Sequence, residues 1–154
     1  DVDVLADFRT EHVAPFIEAI RREYYVSGPA VREAVRLGRH FNVIHMSAAV
    51  KVDVFVAGSD PFDQERLRLR EPLYLPTEPA AAVYVDTAEH SALRKLEWFR
   101  RGGEVSERQW RDVIAIFRLQ RSRLDQARLN GWADKLGVAD LLQRAWREAL
   151  PDER

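Results

Sequence analysis

Two short stretches carry the residues best suited to chemistry. Asp1-Val2-Asp3 and Lys51-Val52-Asp53-Val54-Phe55-Val56 set three carboxylates into apolar, β-branched runs. Side chains alternate across a strand, so Asp1 and Asp3 share a face. Asp53 interrupts a run that otherwise reads as a buried strand, where a charge needs a partner. If the two strands are neighbours, all three carboxylates converge at one place. Clustered carboxylates repel one another, and each loses stabilisation on leaving water. A hard divalent cation bound through oxygen, Mg²⁺ or Mn²⁺, relieves both costs. Two such ions bridged by carboxylates stabilise the attacking and the leaving oxygen in phosphoryl chemistry. The competing reading, acids flanking exposed strands, suits Asp1 at the chain end better than Asp53.

The elements that must hold these residues follow from periodicity. Residues 1–8 read as a strand. A helix follows, with Thr10 as its N-cap, Glu11 in the first turn and an apolar stripe through Val13, Phe16, Ile17 and Ile20. Tyr24-Tyr25-Val26 reads as extended. Ser27 caps a second helix with Pro29 near its start and Gly38 at its stop. Residues 41–46 and 50–57 form a predicted hairpin, which places Asp53 on a central or near-central strand and His45 near it as a cross-strand neighbour. Asp60-Pro61 opens a short helix whose end, Arg66-Leu67-Arg68-Leu69-Arg70, fits a strand equally well. Short extended pieces at 73–75 and 81–85 come next. Four helices follow Asp86, the first two capped by Thr87 and Ser106. The fold class is α+β: a small mixed sheet with flanking helices over residues 1–85, then a helical bundle over 86–154.

The chain has 154 residues, 46% of them hydrophobic, which is enough for a substantial core. The net charge of -1 gives no general attraction for nucleic acid. Locally, ten Lys or Arg face five Asp or Glu between Arg94 and Arg128. That excess suits a polyanion or a solvated amphipathic face. The absence of cysteine excludes disulfides, thiolate catalysis and Cys-based zinc sites, and is compatible with the cytoplasm, the expected location. No apolar run is long enough to span a membrane. The sequence starts inside a predicted strand without Met, so upstream residues are expected to precede it.

Asp1-Val2-Asp3 with the lone acid of Lys51-Val52-Asp53-Val54-Phe55 resembles the acid triad of minimal nucleotidyltransferases in the DNA polymerase β superfamily. The stretch from Lys95-Leu96-Glu97-Trp98-Phe99 through Ser106-Glu107-Arg108-Gln109-Trp110-Arg111-Asp112 resembles the C-terminal signature of bacterial nucleotidyltransferase-like proteins related to the AbiEii toxin family. So does Leu136-Gly137-Val138-Ala139-Asp140-Leu141-Leu142. The resemblance implies that Asp1, Asp3 and Asp53 hold two Mg²⁺ ions around a nucleoside triphosphate, with Asp53 as ligand or base. A nucleoside monophosphate is then transferred to a hydroxyl, by positioning and electrostatics. It further implies matching roles for Glu89, Lys95 and Asp112, with Lys95 reaching the triphosphate. A tRNA acceptor and a neutralising antitoxin are the implied partners. Two departures stand out: the family's upstream Gly-Ser loop is not in this sequence, and Glu89-His90 replaces its usual Glu-Asp.

Other readings compete at single residues. Lys95, one of three lysines, fits a solvated helix position as well as a phosphate ligand. Asp112 fits a surface pair with Arg108 one turn back better than a catalytic role. His12, His40 and His45 read as ordinary hydrogen-bonded histidines, and the four tryptophans as packing groups. At the level of function, a non-catalytic module that binds nucleic acid or protein through its arginines is the alternative. A nuclease using the same acids is a third.

Overall fold

The computed structural model describes residues 2–150 of a mixed α+β chain, which folds as two compact units, 1–68 and 69–154. The first unit runs β1 (Val2–Ala6), α1 (Thr10–Ile20), β2 (Tyr24–Val26), α2 (Gly28–Leu37), β3 (His40–His45), β4 (Lys51–Val56) and α3 (Pro61–Leu69). Its four strands lie in the order β1-β4-β3-β2, with β1 parallel to β4 and the remaining pairs antiparallel.

Period-two alternation divides this sheet into two chemically different faces. Val52, Val54 and Val56 of β4 share one face with Phe41 and Val43 of β3, and with Val26 of β2. That face meets α1 and α2, and Val13, Val31, Ala34, Phe41, Val43, Val54 and Val56 form a buried core there. Phe8, Phe16 and Phe41 meet edge-on at 5.0–5.9 Å, the geometry that ring quadrupoles favour. The opposite face is mixed: Asp3, Lys51, Asp53, Asn42 and His40 share it with Leu5, Phe55, Ile44 and Tyr25.

Local signals set most boundaries. The Ser27 hydroxyl accepts from the Ala30 N–H at 3.4 Å, and Gly38 ends α2 at φ 60°, a left-handed conformation that glycine adopts without strain. Asp60 caps α3, its Oδ1 accepting from the N–H of Phe62 and Asp63 at 2.7 and 3.2 Å. Residues 66–69 are helical, which resolves their sequence ambiguity in favour of the capped helix. At α1 the expectation fails by one residue. Thr10 is the first helical residue and Arg9 is the cap, because the His12 ring nitrogen takes the Arg9 N–H at 3.1 Å.

The second unit contains the antiparallel ribbon β5 (Glu71–Leu75) and β6 (Ala81–Val85), and helices α4 (Ala88–Arg101), α5 (Glu107–Gln120), α6 (Gln126–Leu136) and α7 (Ala139–Ala149). Thr87, Ser106 and Asp125 cap α4, α5 and α6 through their side-chain oxygens. The helices bury Leu93, Leu96, Val113, Phe117, Leu129, Val138 and Leu142 almost completely. Phe117 stacks on Trp146 at 4.5 Å, and Phe99 lies 5.2 Å from Trp110, whose indole N–H donates to Glu148 at 2.8 Å. Among the described residues, no helix is long and apolar enough to cross a membrane.

Candidate active site

The mixed face of the four-stranded sheet brings two of the expected acids together. The parallel register sets Asp3 directly beside Asp53, and the antiparallel register sets Asn42 on the other flank of Asp53. Laterally paired residues point to the same side, so Asp3, Asp53 and Asn42 form one row of oxygen-bearing side chains across three strands. Asp3 and Asn42 are exposed, and the Asp53 side chain retains 17% of its accessible surface. Lys51, two residues earlier on the same face, pairs with Asp53 at 2.8 Å. Asp1, the third expected acid and metal ligand, lies outside the described residues.

The row's chemistry fits the expected cation in kind: carboxylate and amide oxygens are the hard donors that Mg²⁺ or Mn²⁺ prefers. The described residues contribute two carboxylates to it, and among them no group of three His, Cys, Asp or Glu is placed to hold a metal.

A second arrangement lies within the helical unit. Lys95 of α4 donates to Asp112 of α5 at 2.7 Å and to Gln109 at 3.5 Å. Asp112 therefore pairs across helices with Lys95, not with Arg108 along its own helix, because the packing of α4 on α5 puts the ammonium at the carboxylate. The two residues border a cleft of about 370 Å³ lined also by Ser91, Ala115, Ile116 and Leu119. Glu89 serves the fold instead. Its buried carboxylate accepts the Asp125 N–H at 2.7 Å at the start of α6. Burial alone pushes this carboxyl up. The backbone N–H groups of Asp125 and Glu89, the Thr87 hydroxyl and the Arg128 charge outweigh that and hold it below its ordinary range. His90 is fully buried, its ring nitrogen 3.1 Å from the Thr87 hydroxyl.

No family model, curated protein or solved structure matches this chain.

One expected neighbour is corrected. His45 pairs with Tyr24 in the β2–β3 register, and its main chain bonds that of Val50, so it does not oppose Asp53. The turn after β3 decides this: the His45 ring accepts the Ala48 N–H at 3.1 Å, closing four residues into the bend. Period two then puts His45 on the opposite face from Asp53. Asn42 and Lys51 join the site without having been expected there. Lys51 was detectable, because it stands two residues before Asp53 in the same strand. Asn42 depended on the hairpin register, which the turn closed at His45 and Ala48 sets.

Part of the positive charge of the Arg94–Arg128 region is paired. Arg94 and Arg101 both pair with Glu97, Arg100 with Glu104 and Asp140, and Arg128 with Asp125. Arg108, Arg111, Arg121 and Arg123 remain exposed.

Proposed function

We propose that the protein is a metal-dependent nucleotidyltransferase that moves a nucleoside monophosphate from a nucleoside triphosphate to a hydroxyl acceptor. One observation carries the reading: Asp3 and Asp53 stand side by side on the sheet face opposite the one that packs on α1 and α2. The sequence resemblance of the helical motif to AbiEii-related nucleotidyltransferases is a second support for this reading.

In this reading Asp1, Asp3 and Asp53 hold Mg²⁺ or Mn²⁺, with Asn42 beside them to orient carboxylate or substrate. The bound cation supplies charge stabilisation to the triphosphate and acidifies the acceptor hydroxyl. Asp53 accepts the hydroxyl proton as that oxygen attacks the α-phosphorus. The bond between the α- and β-phosphoryl groups breaks, and pyrophosphate leaves with its electron pair. Lys51 holds Asp53 until a cation competes for it. Lys95 is assigned to the phosphates by the resemblance alone, and its pairing with Asp112 must yield for it to serve. The acceptor class that the resemblance suggests is RNA, tRNA in particular, with a neutralising antitoxin as partner.

The test uses the chain together with any upstream residues its gene encodes. It is incubated with Mg²⁺, each α-labelled nucleoside triphosphate in turn, and total RNA plus cell protein. Label appearing on a macromolecule with the native protein but not with Asp53→Asn supports transfer and names donor and acceptor class. Equal labelling by both proteins refutes the role of Asp53.

The exposed Arg108, Arg111, Arg121 and Arg123 favour a second reading, a non-catalytic module that holds a polyanion. It predicts RNA binding that weakens linearly in log–log salt plots and is indifferent to Asp53→Asn.

A further inference from the structure

The sheet face that carries the acids has a second row beside them. Two residues along each strand from Asp3, Asp53 and Asn42 stand Leu5, Phe55 and His40, and the register sets these three side by side as well. Period two keeps both rows on one face, roughly 6.6 Å apart. Their chemistry differs. The first row bears oxygen, and the second bears an alkyl chain, a phenyl ring and an imidazole. On the other side of the acids, Lys51 and Ile44 are laterally paired in a third row. The acids thus lie between a row with a cation and a row with two aromatic rings. The His40 and Phe55 rings have centroids 5.4 Å apart and planes tilted by 32°, within the range of favourable ring pairs. Phe55 is half-buried and His40 is exposed. Among the described residues β2 pairs with β3 only over 43–45, so the sheet ends at His40 on that side.

We infer that this second row is the nucleobase platform: the base of the bound nucleoside triphosphate stacks on the His40 ring, which Phe55 steadies, and the ribose spans the step to the acids. The inference rests on the nucleotidyltransferase reading and adds a binding residue to it. Charge fixes the direction in which the nucleotide lies. The α-phosphate must sit at the acids for the proposed transfer. The outer phosphates then extend toward one neighbouring row and the base toward the other. Lys51 suits the phosphates as a point charge. Flat unsaturated rings suit the base, because every base has a π-face. One sugar separates the α-phosphate from its base, a span that a two-residue step along a strand matches. A ring already held against its neighbour loses little further freedom on stacking, which favours binding.

The test is calorimetric titration of the chain, with any upstream residues its gene encodes, against ATP and against ribose 5-triphosphate, the same ligand without its base, each with Mg²⁺. The native chain is expected to bind ATP about tenfold more tightly than ribose triphosphate, the scale of one stacked base. His40→Ala is expected to lose that advantage for ATP and to bind ribose triphosphate as the native chain does. His40→Phe, which keeps a ring, is expected to retain native affinity for ATP. Equal affinity of the native chain for the two ligands overturns the inference and leaves the nucleotidyltransferase reading standing. So does a His40→Ala chain that keeps native affinity for ATP or weakens toward both ligands alike, and so does a His40→Phe chain as weak as His40→Ala. A folded native chain that binds neither ligand overturns the reading and the inference with it. The two ligands compared on the native chain decide the matter if His40→Ala fails to fold.

Discussion

The paired acids of the helical unit differ from the two acids that the sheet register sets side by side. In the helical unit each of several acids has its own cation or donor set: Glu97 lies between Arg94 and Arg101, Asp112 meets Lys95, and Glu89 takes a backbone N–H. On the sheet, Asp3 and Asp53 stand in adjacent register positions, with Lys51 paired to Asp53. Acids matched one for one do structural work. Acids gathered beyond the local supply of positive charge leave room for a cation from outside, at a cost in self-repulsion that folding alone does not require. The difference is one of arrangement, two carboxylate positions side by side in the register, and the proposed function rests on it.

Substitutions that break this contrast should fall in a definite order. The largest loss of stability is expected for Glu97→Ala, which takes a carboxylate from both the largely buried Arg94 guanidinium and Arg101. Removing one member of such a pair costs about 3 kcal/mol, readable as a fall in the chemical denaturation midpoint. Glu89→Ala comes next. It removes the charged acceptor of the Asp125 N–H and should cost about 2 kcal/mol. This site also sets a pH dependence. Glu89 is held below its ordinary range, so its contribution is present above the unfolded value of about 4.3 and is lost as pH falls through the folded value. Glu89→Gln should flatten the acid side of a stability-against-pH curve, and a curve superimposable on that of the native chain would refute this assignment. Lys95→Met removes a half-exposed ion pair and should cost no more than about 0.5–1 kcal/mol. If its proposed phosphate role holds, it should nevertheless reduce nucleotide transfer.

Asp53→Asn should change folding by no more than about 1 kcal/mol, since it keeps the side chain's size and gives up one partly solvated pair with Lys51. Its effect on transfer should be at least about a hundredfold, the scale seen when a preorganised electrostatic group is lost. A large effect on one quantity beside a small effect on the other sharpens the comparison. A large loss of stability at Asp53 would place it with the structural acids.

Much of this arrangement was legible in the sequence wherever the controlling interaction is local. Ser27 and Gly38 bracket α2, Thr87 and Ser106 start α4 and α5, and the alternation around Asp53 marks a half-buried strand, all within a few residues of chain. What eluded sequence reading depends on contacts between distant segments. The meeting of Asp3 and Asp53 was expected only on the condition that their strands are neighbours, and the parallel pairing of β1 with β4 supplies that condition. His45 was misplaced because a turn closed by its own ring sets the hairpin register. Asp112 was assigned to Arg108 because periodicity sees neighbours along one helix and is blind to the adjacent helix that brings Lys95.

The most direct test of the proposed metal and nucleotide site is calorimetric titration of the folded chain with each nucleoside triphosphate, in the presence and absence of Mg²⁺, beside Asp3→Asn and Asp53→Asn. Nucleotide binding should require the cation and be lost in both variants while their denaturation midpoints stay near native. Mg²⁺-dependent binding that survives in Asp53→Asn, or a folded native chain that binds no nucleoside triphosphate, would contradict it.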